Sequence, residues 1–158
     1  MSDKITNEQF TKQILASVRE AFEKPDGVFL DRGTSLFETL AGISCEQASR
    51  PLLDGGTTIA GHVFHTCFYL QVTIDYLEDR LNRKIDWKDS WIISTRNNSE
   101  WSELRGQLER EYATVIAYLS GVTDWTDLRI LGALGILAHT AYHLGAIRQM
   151  ATLVARES

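Results

Sequence analysis

Between Ile130 and Ile147 the chain carries no Asp, Glu, Lys or Arg, and two of its four histidines, His139 and His143, lie four residues apart there. This segment, ILGALGILAHTAYHLGAIRQM to Met150, predicts one long helix packed against others. At about 100° per residue, positions four apart lie nearly above one another on a helix. With His139 as reference, Leu128, Gly132, Gly135, Ile136, Ala146, Met150 and Leu153 fall on the same side. Both imidazoles are therefore expected in the middle of an apolar stripe, turned into the core. The small residues Gly132, Gly135 and Ala146 let a neighbouring helix come close or leave room for a ligand. A buried neutral imidazole needs an acceptor for one ring nitrogen and a donor for the other. A metal ion meets that need by taking one nitrogen from each ring while surrounding groups take the other. Backbone carbonyls or buried water are the plainer alternative. Thr140 follows His139, so the Glu that serves as general base in the zinc-protease helix motif is missing.

A membrane span is the competing interpretation of so apolar a run. The run is short for a span, two histidines occupy its centre, and neither basic flanks nor a second span accompanies it. No membrane is expected as a partner. A net charge of −5 argues against nucleic acid, which needs a basic face. The 158 residues, 44% hydrophobic and 23% charged, point to one globular domain over residues 1–158, able to bury a core without staples. Cys45 and Cys67 match no metal or redox spacing, which fits two thiols in a reducing cytoplasm. The opening residues MSDKITNEQF contain no apolar signal-peptide region, which also agrees with a cytoplasmic location.

Taken in order, the chain reads as helices throughout. Thr6 with Gln9 forms a capping box, and Phe10, Ile14, Val18 and Phe22 continue at helical spacing to about Lys24. Pro25-Asp26-Gly27 breaks the chain. Ser35 with Glu38 forms a second capping box that opens a shorter helix, about Ser35–Ser49, ended by Pro51 and Gly55-Gly56. Thr57 or Thr58 opens a long helix to about Asn82, with Val63, Cys67, Leu70, Ile74, Leu77 and Leu81 on one stripe. Its other side carries His65, Phe68 and Val72, so the helix is expected to be buried on both sides. His62 and His65 share that second region, and periodicity does not decide which one faces His139 and His143.

Arg83–Asn97, with Trp87 and Trp91, is a connection long enough to be a crossover strap or a binding loop; a strap whose tryptophans cover the bundle end is favoured over a substrate lid. Asn98 or Ser99 caps the next helix, with Trp101, Leu104, Leu108, Val115 and Leu119 buried and Glu103, Arg105, Glu109, Arg110 and Glu111 solvated. Gly121 ends it, and the last helix runs from near Asp124 into Ala155. The expected fold is all-α, four long helices plus one short one.

Ligands projecting inward from facing helices can hold a metal in a bundle core. His139 and His143 need a partner, and the Thr57–Asn82 helix carries the remaining histidines, His62 and His65. Three neutral imidazoles suit Zn²⁺, Ni²⁺, Cu²⁺ or Fe²⁺ and leave a position for water or substrate.

The segments LDRGTSLFETL, EQASRPLL, TTIAGHVFHTCFYL, IDWKDSW and HTAYHLGAIRQM resemble the DinB-like superfamily of damage-inducible, metal-associated proteins. The resemblance implies a four-helix bundle with a long crossover between the second and third main helices. It implies a metal triad of His139 and His143 with one histidine of the second main helix, His65, and His62 as the fallback. Relatives use such a site to activate a low-molecular-weight thiol in transferase and isomerase chemistry.

Two functions follow as expectations. One is an enzyme that uses zinc or nickel, or else iron or copper, to activate a water or thiol for transferase- or hydrolase-type chemistry on a small molecule. The other is a non-catalytic metal-binding stress-response protein of the same fold. A homodimer is compatible with both. No catalytic residue is assigned; Tyr69, Tyr142 and Asp75 are candidates for a base or for support of the ligands, with core packing the plainer role for the tyrosines. Arg148 falls on the side of its helix away from the histidine pair.

Overall fold

Side-chain caps start all six α-helices, the last through Thr126 Oγ1 accepting from Arg129 N–H. Each cap oxygen accepts from a backbone N–H that the first helical turn would otherwise leave unpaired. The computed structural model describes residues 4–93, 95 and 97–156. In order, the chain forms α1 (Asn7–Phe22), α2 (Leu36–Ala41), α3 (Cys45–Ser49), α4 (Ile59–Leu77), a 3₁₀ turn (Asp89–Trp91), α5 (Asn98–Gly121) and α6 (Asp127–Arg156). The protein is all-helical, with no strand among the described residues.

The expected caps at Thr6, Ser35 and Thr58 are in place. Four expectations need correction. The helix read over Ser35–Ser49 is two short helices, because Ser44 with Gln47 forms a third capping box that restarts the backbone after Gly42. The fourth helix stops at Leu77, not near Asn82; Asp79 takes a left-handed φ of 55° that a helix does not continue through. Asn97, not Asn98 or Ser99, caps α5 by accepting from Glu100 N–H. The last helix begins at Asp127, three residues beyond Asp124.

Packing follows from which stripe each helix buries. α4 lies against both α5 and α6, and α1 packs on α6 and α5. The buried face of α4 runs Ile59, Val63, Cys67, Leu70 and Ile74; that of α5 runs Trp101, Leu104, Leu108, Tyr112, Val115 and Leu119. Leu70, Leu108 and Leu119 are fully buried, each contributing about 1.5–3 kcal/mol of transfer free energy. The stripe of α6 is centred elsewhere than expected. Ala133, Ile136, Thr140, His143, Leu144, Ile147, Met150 and Val154 are buried, while Leu128 and Leu153 are exposed. His143 is thus inside the stripe and His139 at its half-buried edge.

Among the described residues α6 is the one helix long and apolar enough, by length and composition, to cross a membrane. In this fold Ala133, Ile136 and Ile147 are buried in the shared core, while Leu131, Leu134 and Tyr142 are exposed. The N-terminal third is fastened by hydrogen bonds of its own. Glu20 Oε1 accepts from both Phe29 N–H and Leu30 N–H at 2.9 Å, and Trp101 Nε1 donates to the Ile43 carbonyl at 2.9 Å. Both cysteines are free thiols; burial pushes Cys67 up to about 12, so it is inert at neutral pH.

Candidate metal centre

All four histidines meet in one cluster between α4, α6 and the 3₁₀ turn. His65, His139 and His143 each offer a ring nitrogen, and these three atoms lie within 4.8 Å of one another. His139 Nε2 is 3.1 Å from His65 Nε2, and His62 Nδ1 is 2.8 Å from His143 Nδ1. The two helices present these rings together because His62 and His65 are one helical turn apart on α4, as are His139 and His143 on α6. His62 is the more buried of the α4 pair.

Proton positions follow from the hydrogen-bond network. Ser90 Oγ donates its single proton to the Trp87 carbonyl at 2.6 Å. Its 2.6 Å contact with His65 Nδ1 must then be an N–H of His65 donating to the hydroxyl. That fixes the proton on Nδ1 and leaves the lone pair of Nε2 facing His139. Ser90 is fully buried and so holds this arrangement without competition from solvent. On the other side, Thr57 Oγ1 lies 3.2 Å from His62 Nε2, continuing the chain Thr57–His62–His143. If His143 Nδ1 donates to His62, its Nε2 keeps a free lone pair.

Aromatic rings enclose the cluster. Tyr69 stacks on His139 with centroids 3.7 Å apart and planes at 7°. Trp91 stacks on His65 at 4.1 Å and 14°, and stands edge-on to His62 at 5.4 Å. Tyr142 presents an edge to His143 at 5.0 Å. Burial between these rings and the two helices lowers every histidine. His143 falls to about 3 and His139 to about 4, with repulsion from neighbouring imidazoles adding to burial in both. Burial and the nearby His65 lower His62; burial lowers His65. All four rings are neutral at pH 7, the form that coordinates metal.

The donor set fits a divalent transition metal on the observed chemistry. Neutral nitrogens approach one another from two helices, and His139 Nδ1 is buried with no hydrogen-bond partner. The His65, His139 and His143 group can hold a metal ion. The other expected participants fall differently. Tyr69 touches His139 directly, Tyr142 touches His143 but is largely exposed rather than packed in the core, and Asp75 is paired with Arg80 at 3.0 Å. Arg148 is exposed. Ser90 and the stacking role of Trp91 were not visible in the sequence. The connection carrying them does not simply cover the bundle end; its 3₁₀ turn forms one wall of the cluster.

The sequence matches the DinB superfamily over residues 30–147. The chain belongs to that superfamily. No curated protein and no solved structure matches it.

Proposed function

We propose that this chain is a metal-dependent enzyme in which His65, His139 and His143 hold a divalent transition metal, zinc or nickel first and iron or copper next. The carrying observation is the approach of His65 Nε2 to His139 Nε2 at 3.1 Å with His143 in the same group. Bound there, the metal supplies Lewis acidity that lowers the pKa of a water or a low-molecular-weight thiol. The protein's own residues do the rest. Ser90 keeps the His65 proton on Nδ1, and His62, next to Thr57, offers a partner at 2.8 Å to His143 Nδ1. Tyr69 and Trp91 hold the His139 and His65 rings by stacking. This supports transferase- or hydrolase-type chemistry on a small molecule. The same reading treats residues 1–158 as one four-helix-bundle domain of α1, α4, α5 and α6, with residues 78–97 as its crossover, working in the cytoplasm without nucleic acid or membrane, alone or as a homodimer.

A non-catalytic metal-binding role is the second reading; the Trp91 ring against His65, which closes one face of the cluster, favours it. Metal analysis of the purified protein and calorimetric zinc titration of three variants test the site. His65→Ala and His143→Ala should abolish tight binding, whereas His62→Ala should leave most of it. If His62→Ala loses the metal and His65→Ala keeps it, the ligand set is wrong. Affinities equal to that of the wild type in all three variants end the metal reading.

A further inference from the structure

A cavity of about 450 Å³ opens between α4, the start of α6 and the connection that follows α4. That size falls within the range of small-molecule sites, about 300–1,000 Å³. Tyr69 and Trp87 form one wall, with ring centroids 6.1 Å apart. Both also belong to the histidine cluster: Tyr69 stacks on His139, and Trp87 lies 6.4 Å from His65. The cavity and the candidate metal centre therefore share a wall.

Its chemistry is one-sided. None of the lining residues is charged, and the polar groups are hydroxyls and an indole N–H, from Tyr69, Thr73, Tyr76 and Trp87. A charged ligand would lose hydration there with no counter-charge to replace it. A flat neutral molecule would gain apolar burial and stack on the two rings. Around the mouth, Tyr76, Trp87, Leu128 and Leu131 are all exposed. The floor is also specific. A Cβ at Gly132 would lie 2.7 Å from Leu77 Cδ1, and one at Gly135 2.7 Å from Tyr69 Oη. Only glycine lets those side chains rest against bare α6 backbone, although each mid-helix glycine costs about 0.5–1 kcal/mol relative to alanine.

We propose that this cavity is the substrate site of the same centre and takes a neutral, largely aromatic small molecule, whose inner end lies against Tyr69 and Trp87, the rings that separate it from His139 and His65. The assignment of the cavity to the centre rests on the metal reading; binding in the cavity does not. A second copy of this chain could cover the same apolar rim, but a convex helix face would not fill the concave space between α4 and α6.

The test uses the full chain, metal-free and zinc-loaded, titrated calorimetrically with 2-naphthol and with the anionic 2-naphthalenesulfonate. The wild type should bind 2-naphthol saturably at one site in both forms, with the sulfonate at least tenfold weaker. Leu131→Arg, at an exposed position on the rim, should weaken 2-naphthol at least tenfold with an unchanged zinc isotherm. In cobalt-loaded protein, 2-naphthol should perturb the visible spectrum of the metal. No saturable binding, equal binding of the two probes, or an indifferent Leu131→Arg variant would overturn the proposal. A wild-type dimer that Leu131→Arg dissociates, with no 2-naphthol binding, would overturn it in favour of a copy–copy face. An unchanged cobalt spectrum on 2-naphthol binding would detach the cavity from the centre. Failure of zinc binding with intact 2-naphthol binding would instead sink the metal reading alone.

Discussion

Ser90→Ala isolates the support of one histidine from the histidine itself. The hydroxyl sits in two hydrogen bonds of 2.6 Å, accepting from His65 Nδ1 and donating to the Trp87 carbonyl. Each bond is worth about 0.5–1.5 kcal/mol net. Losing both should cost about 2 kcal/mol in the metal-free protein, roughly 4–8 °C in Tm at this size. The effect on metal binding is separate. Without its acceptor, the His65 proton is free to move to Nε2, the nitrogen that faces His139. Zinc affinity should then fall about 10–100-fold, or about 1.4–2.7 kcal/mol. Competition titration against a chelator at pH 8 gives the affinity, and urea unfolding in EDTA gives the stability. A variant that loses stability yet binds zinc as tightly as wild type would show that Ser90 packs but does not orient His65.

The metal-free protein should lose stability in acid. The folded pKa values of His139 and His143, about 4 and about 3, lie below the unfolded value of 6.5, so the unfolded chain takes up protons first. Stability is full above about pH 6.5 and declines as pH falls toward 4 and then 3, by about 1.4 kcal/mol per unit for each histidine protonated only when unfolded. Urea midpoints in EDTA that do not change between pH 8 and pH 5 would contradict this. Bound metal competes with protons for the folded histidines, so it should leave as pH falls through about 4 and then 3, and the shift in thermal midpoint that zinc produces should be larger at pH 6 than at pH 3. Gly135→Ala should lower stability by about 1–2 kcal/mol, because overpacking against Tyr69 Oη outweighs the gain in helix propensity. A higher thermal midpoint in that variant would show that Tyr69 yields freely.

The parts of this structure that were legible from sequence are those with a local signal. Thr6 with Gln9 and Ser35 with Glu38 announce helix starts, and both caps form. The His139–His143 spacing places two rings in one cluster because one turn of helix enforces it. What failed had a local signal overridden by another. The apolar spacing through Leu40 and Ile43 hid the Ser44 cap, and Leu81 continued the periodicity of α4 past the turn at Asp79. Three consecutive cap-type residues, Asn97, Asn98 and Ser99, left the start of α5 ambiguous. Ser90 and Trp91 reach His65 across 25 and 26 residues through a turn with no periodicity, so nothing local marks them. The pairing of His62 with His143 depends on how α4 sits against α6, which no single segment encodes.

His65 and His139 stand 74 positions apart in the chain. An ion gripping both would act as a removable cross-link, closing a loop that contains the whole 78–97 connection and α5. In the chain-entropy treatment of cross-links, a closure of that length restricts the unfolded ensemble by about 4 kcal/mol. The benefit would not stay near the histidines. α5 contributes no ring to the cluster, yet it lies inside the closed loop and packs on α4. Its amides should exchange with solvent more slowly in the zinc-loaded protein, so that the most distant beneficiary of the ion is a helix that never touches it.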